Sequence, residues 1–280
     1  MKHIGFVDYY ISEWHANNYP AWFKEAAEKL GLEYQVSYVW AEKDISPVDG
    51  VSTDEWCEKM GVERCQSLSE LCEKSDVIVI LAPTNPEKHL EYAKAVLPYG
   101  KRTYIDKTFA PNLEIAKEIF DIGEKYGTPF FSSSALRYSE ELTEIKDAKN
   151  VILNGGGSNL EEYVIHLVEM TVSLLKSSAR KVKVDYFGKQ RICNVITENG
   201  AKAAIVYSPA LSYSVTVENS EGEIVHKAVT SAFFVNLIAD MLRFFEDGTV
   251  SFDVQETLEV IRLRDGILKA DQSEGEWIEL

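Results

Sequence analysis

The first half of the chain alternates short apolar runs with stretches of helical spacing. Residues 4–7 form an apolar run. Residues 20–30 space their apolar side chains at helical intervals and stop before Gly31. Residues 34–40 are rich in β-formers, and helices around 54–60 and 67–74 lead into a strand at 77–81. Residues 86–97 then read as helix, 102–105 as strand, 113–126 as helix and 129–131 as strand. Short apolar strands separated by helices predict a parallel sheet covered on both faces. Right-handed crossovers make this an α/β, doubly wound, Rossmann-like domain over about residues 1–135.

The pattern changes after about residue 132. One strand (151–154) and one helix (160–176) precede five β-like segments at 181–187, 191–197, 202–207, 212–218 and 223–229. Two helical stretches, 232–246 and 254–269, follow. Consecutive strands predict an α+β domain over 136–280 with an open, mainly antiparallel sheet. No internal repeat or low-complexity linker separates the halves, so the boundary is a crossover within 132–150.

Composition narrows the function classes. The 280 residues suit one large domain or two modest ones, with 45% hydrophobic and 26% charged positions. The 29 basic against 45 acidic side chains give a formal charge of −16, which argues against nucleic acid or an anionic membrane as the main partner. A small-molecule partner is expected instead. The longest apolar runs are too short to span a bilayer, and residues 1–7 enter a strand without a signal-peptide pattern. Cys57, Cys65, Cys72 and Cys193 form no CxxC pair, and a reducing cytoplasm is the expected setting.

A dinucleotide-binding first half carries GxGxxG after its first strand, so that backbone N–H groups at a helix start approach the pyrophosphate. Here the segment reads Gly5-Phe-Val-Asp8-Tyr-Tyr10-Ile-Ser-Glu13-Trp-His15. By the usual spacing, Asp8, Tyr10 and Glu13 stand at the three glycine positions. The loop is aromatic, with Tyr9, Tyr10, Trp14, Tyr19 and Trp22. Asn17 or Asn18 is expected to cap the next helix, with Pro20 near its start. The loop reads either as a lid over a ligand or as an aromatic plug on the sheet edge. Glu42 ends the second strand, where an acidic residue binds ribose hydroxyls and favours NAD over NADP. As a lone carboxylate at a strand end, its plainer reading is a solvated loop charge.

Two stretches carry a resemblance. Asp76-Val-Ile-Val-Ile-Leu-Ala-Pro83-Thr-Asn85-Pro-Glu-Lys-His89, followed by Gly100-Lys101 and Asp106-Lys107-Thr108, resembles the Gfo/Idh/MocA oxidoreductases. Their usual string is strand, Pro and His, helix, Gly-Lys, strand, then Glu-Lys-Pro. Gly155-Gly-Gly157, with Glu162, His166 and Glu169 after it, is similar to that family's glycine-rich turn and Asp-x-x-x-His-x-x-Asp. Both acidic positions are Glu here.

The resemblance implies oxidation of a sugar, cyclitol or related polyol by hydride transfer to NAD or NADP. It implies cofactor contacts from Asp8, Tyr10, Glu42, Pro83, Asn85, His89 and Asp106, and catalytic roles for Lys107, His166 and Glu162. Substrate contacts then fall to Tyr163, Arg137 and Trp14. The family uses its open sheet face to dimerise, so a homo-oligomer is expected. An inactive relative that binds a ligand or partner is the alternative, as is NAD-assisted glycoside cleavage.

The spacing permits these roles. Ser158-x-x-Glu161 reads as a capping box. Glu162, His166 and Glu169 share one helix face, where a carboxylate holds an imidazole's tautomer and supports proton uptake. Lys107 follows a parallel strand, where it can polarise an oxygen. Lys107 and His166 are expected to meet at one ligand site. The plainer readings are a helix histidine paired with Glu162, a surface lysine, a packed Tyr163 and a hinge Arg137 in an interdomain ion pair. No metal signature assembles from His15, His89 and the carboxylates.

Overall fold

A strand covered on both faces must be apolar throughout, and Val77–Ile80 is fully buried along its length in a computed structural model that describes residues 1–280. The chain divides into two compact units, Met1–Ser133 with Phe234–Val254, and Ser134–Phe233 with Gln255–Leu280.

In the first unit β1 (Lys2–Tyr10), β2 (Tyr34–Lys43), β3 (Glu63–Arg64), β4 (Val77–Ile80), β5 (Thr103–Ile105) and β6 (Phe130–Phe131) form one parallel sheet. Its order is β3-β2-β1-β4-β5-β6, the doubly wound arrangement, with its switch point between β1 and β4. The crossover helices are α1 (Trp14–Leu30), α2 (Thr53–Met60), α3 (Leu68–Lys74), α4 (His89–Val96) and α5 (Leu113–Tyr126). Ser52 and Glu55 close a capping box on α2, and Asn112 caps α5.

The first helix begins earlier than its sequence suggests. Glu13, not Asn17 or Asn18, is its cap, and Pro20 lies inside it. The Glu13 carboxylate satisfies the first backbone donors. Asn17 is spent elsewhere, accepting from Trp56 Nε1 at 2.7 Å. Pro20 forgoes one helical hydrogen bond, a cost the packing of buried Tyr19 and Phe23 offsets.

The second unit holds α6 (Glu140–Thr143), β7 (Ala148–Gly155), α7 (Leu160–Leu175), β8 (Ala179–Phe187), β9 (Gln190–Thr197), β10 (Lys202–Tyr207), β11 (Ser214–Asn219) and β12 (Ile224–Ala228). After α8 (Phe233–Asp247) come α9 (Glu256–Ala270) and the short β13 (Ile278–Glu279). The sheet order is β12-β11-β7-β10-β9-β8-β13, antiparallel except where β7 meets β10. Residues alternate: Val182 and Val184, Cys193 and Val195, and Ala203 and Ile205 are buried on the face where α7 and α9 pack. The opposite face carries Asn150, Ile152, Lys183, Asn194 and Lys202. Asn159, rather than Ser158, caps α7, its side chain accepting from the Glu162 N–H at 2.9 Å.

The second domain is not the continuous 136–280 expected, because residues 234–254 pack with the first unit. Phe244 of α8 meets Phe131 at 4.9 Å between ring centroids, and Phe245 meets Tyr34 at 6.3 Å. Arg102 Nη1 donates to the carbonyls of Phe245 and Glu246, each at 2.8 Å, so it finishes the end of the helix. No helix is long and apolar enough to cross a membrane.

Gly5, inside β1, is a packing glycine. A Cβ there would lie 2.2 Å from Ser75 Oγ and 2.9 Å from Leu71 Cδ2. Gly5→Ala is expected to lower the unfolding free energy by about 1–3 kcal/mol in a urea titration, through overpacking against α3. An unchanged midpoint would mean that α3 shifts freely.

Candidate functional site

Strand ends are where a doubly wound sheet can present polar groups, and β1 and β5 of the first unit carry acids there. Asp8 is 1% exposed. Its Oδ1 accepts from the N–H groups of Tyr9 at 2.7 Å and Ala82 at 3.0 Å, while Oδ2 is buried without a partner. Glu13 follows at the start of α1, accepting from the N–H groups of His15, at 2.8 Å, and Ala16. The His15 ring lies between two carboxylates, with Nδ1 at 3.2 Å from Glu13 and Nε2 at 3.7 Å from Asp106. Asp106 is also 1% exposed, and its Oδ1 accepts from Tyr19 at 3.4 Å. The Tyr104 hydroxyl lies 3.2 Å from the same oxygen and 2.7 Å from the Ser133 carbonyl, so its single proton favours the nearer acceptor. Burial, then Glu13, push the Asp8 carboxyl well above the usual carboxylate range.

The other first-unit candidates divide. Lys107 is 9% exposed, and Nζ donates to the Pro83 carbonyl at 3.4 Å. It is not the surface lysine of the plainer reading. The Lys107–Thr108 peptide is cis. His89 is fully buried, with Nδ1 at 2.9 Å from the Phe109 carbonyl and Nε2 at 2.6 Å from that of Leu81. It braces the segments after β4 and β5 and presents no nitrogen to a ligand. Asn85 donates to Glu87 at 2.9 Å, and the Tyr10 hydroxyl lies 3.4 Å from that of Thr84. Glu42 receives Lys88 at 2.9 Å and the Tyr92 hydroxyl at 2.9 Å; against the effect of burial, these bonds hold its carboxyl low. Trp14 is half exposed in a cluster with Trp22 and Phe234, whose rings stack at 4.8 Å. The aromatic plug describes this loop better than the lid. The four cysteines are free and buried, and burial pushes Cys57 and Cys65 up to about 11 and Cys72 and Cys193 up to about 12, leaving protonated, unreactive thiols.

In the second unit His166 Nδ1 lies 2.7 Å from Ser134 Oγ, and its ring stands beside Tyr163 and Tyr213 at 5.9 and 6.0 Å. Glu162 does not orient it. That carboxylate is held by Asn159 at 3.1 Å, in the cap of α7. The glycine turn makes room for tyrosines: a Cβ on Gly155 would lie 2.4 Å from the Tyr213 ring, and one on Gly157 would lie 2.1 Å from Tyr163. Tyr207 and Tyr213 donate to the carbonyls of Gly157 and Gly156 at 2.7 and 3.2 Å. Arg137 is buried, pairing with Glu169 at 2.5 Å and Glu256 at 2.7 Å. Both pairs lie within the second unit.

Sequence reasoning missed His15, Tyr19, Tyr104, Ser134 and Tyr213 as members of these clusters. Only the tyrosines near the glycine turn carried a signal, in that three consecutive glycines imply close neighbours. The nicotinamide dinucleotide implied by the resemblance requires open backbone donors at the start of α1. Those of His15 and Ala16 already serve Glu13, and Asp8 lies buried beside it, so the residues at the pyrophosphate position do not fit that group.

Because folding raises the Asp8 pKa, the native state holds this proton more tightly than the unfolded chain does. That stabilisation is complete below the ordinary Asp range and is lost as pH rises through the raised value. Asp8→Asn keeps an acceptor for Tyr9 and Ala82. It is expected to raise Tm by about 2–4 °C near pH 8 and by less near pH 5, read by calorimetry. Equal shifts at both pH values would contradict an Asp8 charge buried at cost.

Residues 42–133 match the family model described as "Oxidoreductase family, NAD-binding Rossmann fold". The uncharacterized oxidoreductase YhhX of Escherichia coli (strain K12) is 36% identical over 66 residues, which cover 22% of this chain and 19% of that protein. The match thus spans about a fifth of the curated relative's length. Among solved structures, a probable dehydrogenase from Thermotoga maritima is similar with a TM-score of 0.80 at 12% identity, over 99% of this chain and 98% of that one. GenD2 from gentamicin A biosynthesis, in complex with NAD, gives 0.79 at 12% identity, over 100% and 97%. An NAD binding oxidoreductase from Klebsiella pneumoniae gives 0.75 at 13%, over 99% and 98%. At these identities the likeness establishes the fold, and the family match rests on residues 42–133 alone.

Proposed function

We propose that this chain binds a small hydroxyl-rich molecule, a sugar, cyclitol or related polyol, and handles one of its hydroxyl protons through His166. The carrying observation is the His166 imidazole, anchored at Nδ1 by Ser134 Oγ at 2.7 Å and flanked by two tyrosine rings. An anchored imidazole beside aromatic faces suits a ligand with C–H faces and hydroxyl edges. Lys107, nearly buried after β5, supplies a cation able to polarise a ligand oxygen. Tyr163 is the substrate contact beside His166. Trp14 and Arg137 are engaged in packing and ion pairs and are set aside.

A second reading is favoured by the survival of Lys107 within the matched segment: NAD-dependent oxidation of the same ligand, or glycoside cleavage that passes through it. Glu42 would then prefer NAD to NADP, although Lys88 and Tyr92 already engage it. We further propose a homo-oligomer, because the open sheet face leaves Ile152 and Trp277 exposed. A cytoplasmic setting suits the free cysteines.

A panel of sugars and cyclitols tested by calorimetry, with NADH formation followed in parallel, checks these readings. At least one member is expected to bind saturably, and His166→Ala should weaken that binding by about tenfold or more. Binding unchanged in His166→Ala sinks the proposal. Rapid NADH formation by the wild type establishes the second reading.

A further inference from the structure

A pyrophosphate at the start of a Rossmann helix needs free backbone donors, a helix end whose partial positive charge is uncompensated, and no competing anion. The first unit meets none of these needs at α1. The N–H groups of His15 and Ala16 both point at the Glu13 carboxylate. That carboxylate neutralises the helix end from within the chain. His15, the nearest candidate cation, is already held between Glu13 and Asp106.

A second observation is independent of the helix cap. Asp8 ends the core of β1 at the switch point, and its bond of 3.0 Å to the Ala82 N–H ties the ends of β1 and β4 together. The crevice where the strand order reverses is where a dinucleotide crosses such a sheet. Asp8 Oδ2 and Asp106 Oδ2 are both buried without hydrogen-bond partners, with His15 Nε2 3.7 Å from Asp106 Oδ2, so a dianionic pyrophosphate would face acidic oxygens there. No glycine remains from Asp8 to Glu13 to let the ligand approach the backbone closely.

We infer that this chain fills its own dinucleotide-phosphate site with the Glu13 carboxylate, backed by Asp8, and so does not hold a nicotinamide dinucleotide by the start of α1. Glu13 stands in for the pyrophosphate, making the same bonds to the same class of donors. Polyol binding through His166 does not depend on this substitution, and the two claims fail separately.

The test titrates the full chain with NADH by fluorescence and with inorganic pyrophosphate by calorimetry. The wild type is expected to show no saturation with either probe up to about 1 mM. Glu13→Ser keeps a capping oxygen while removing the charge. Combined with Asp8→Asn, it should tighten pyrophosphate binding by about tenfold or more, and NADH binding in the same direction. Circular dichroism checks the fold, and Glu13→Gln replaces Glu13→Ser if the latter fails to fold. Saturable micromolar NADH binding by the wild type overturns the inference. So does a folded double variant with no gain for pyrophosphate. Neither result bears on the polyol titration, which is read without dinucleotide present.

Discussion

A parallel sheet covered on both faces can place polar groups only at the ends of its strands, and the first unit depends on that constraint. Val77–Ile80 is apolar at every position because neither face meets water. What chemistry the unit has must therefore gather where β1, β4 and β5 stop. Asp8, Asp106 and Lys107 stand there, and the His89 ring lies between the carbonyls of Leu81 and Phe109. A histidine in that position sets the spacing of two strand exits, which in turn sets where Lys107 projects.

Concentrating acids at one end of a sheet carries an electrostatic cost, and the local structure offsets it in three ways. The positive end of a 17-residue helix meets Glu13. The Tyr19 hydroxyl and an imidazole meet Asp106. The Asp8 carboxyl, which receives two backbone donors at one oxygen only, meets its share by retaining a proton. The second unit solves a different problem. Its glycine turn has no acidic cluster to stabilise and instead accepts tyrosine rings against bare backbone, giving His166 a rigid aromatic surround.

Much of the fold was legible because periodicity reports burial directly. The run at 77–81, the helix at 113–126 and the alternating strands of the second sheet all follow from which faces are dry. Helix starts were less legible, since a cap is set by whichever side chain reaches the donors. At α1 that was Glu13 and not an asparagine, and at α7 it was Asn159 and not Ser158. The candidate site was legible only for groups that local spacing or the resemblance could mark. Glu162 and His166 are four apart on one helix, yet the histidine's partner is Ser134, 32 residues away in sequence. Arg137 pairs with Glu256 across 119 residues. Pattern reasoning cannot see such partners, because tertiary packing chooses them.

The segment Phe234–Val254 lies with the first unit while its flanks belong to the second. The polypeptide therefore leaves the Rossmann unit, builds six of the seven strands of a second sheet, returns to deposit α8, and leaves again. On a ribosome, Tyr34 and Phe131 emerge long before the helix that covers them, a wait on the order of ten seconds at ordinary rates of synthesis. The nascent chain carries an unfinished apolar surface through that interval. The same threading means that neither unit is a contiguous cassette. Recombination at a single crossover would separate the sheet from its covering helix, so this chain is expected to evolve by substitution within both units together rather than by exchange of one.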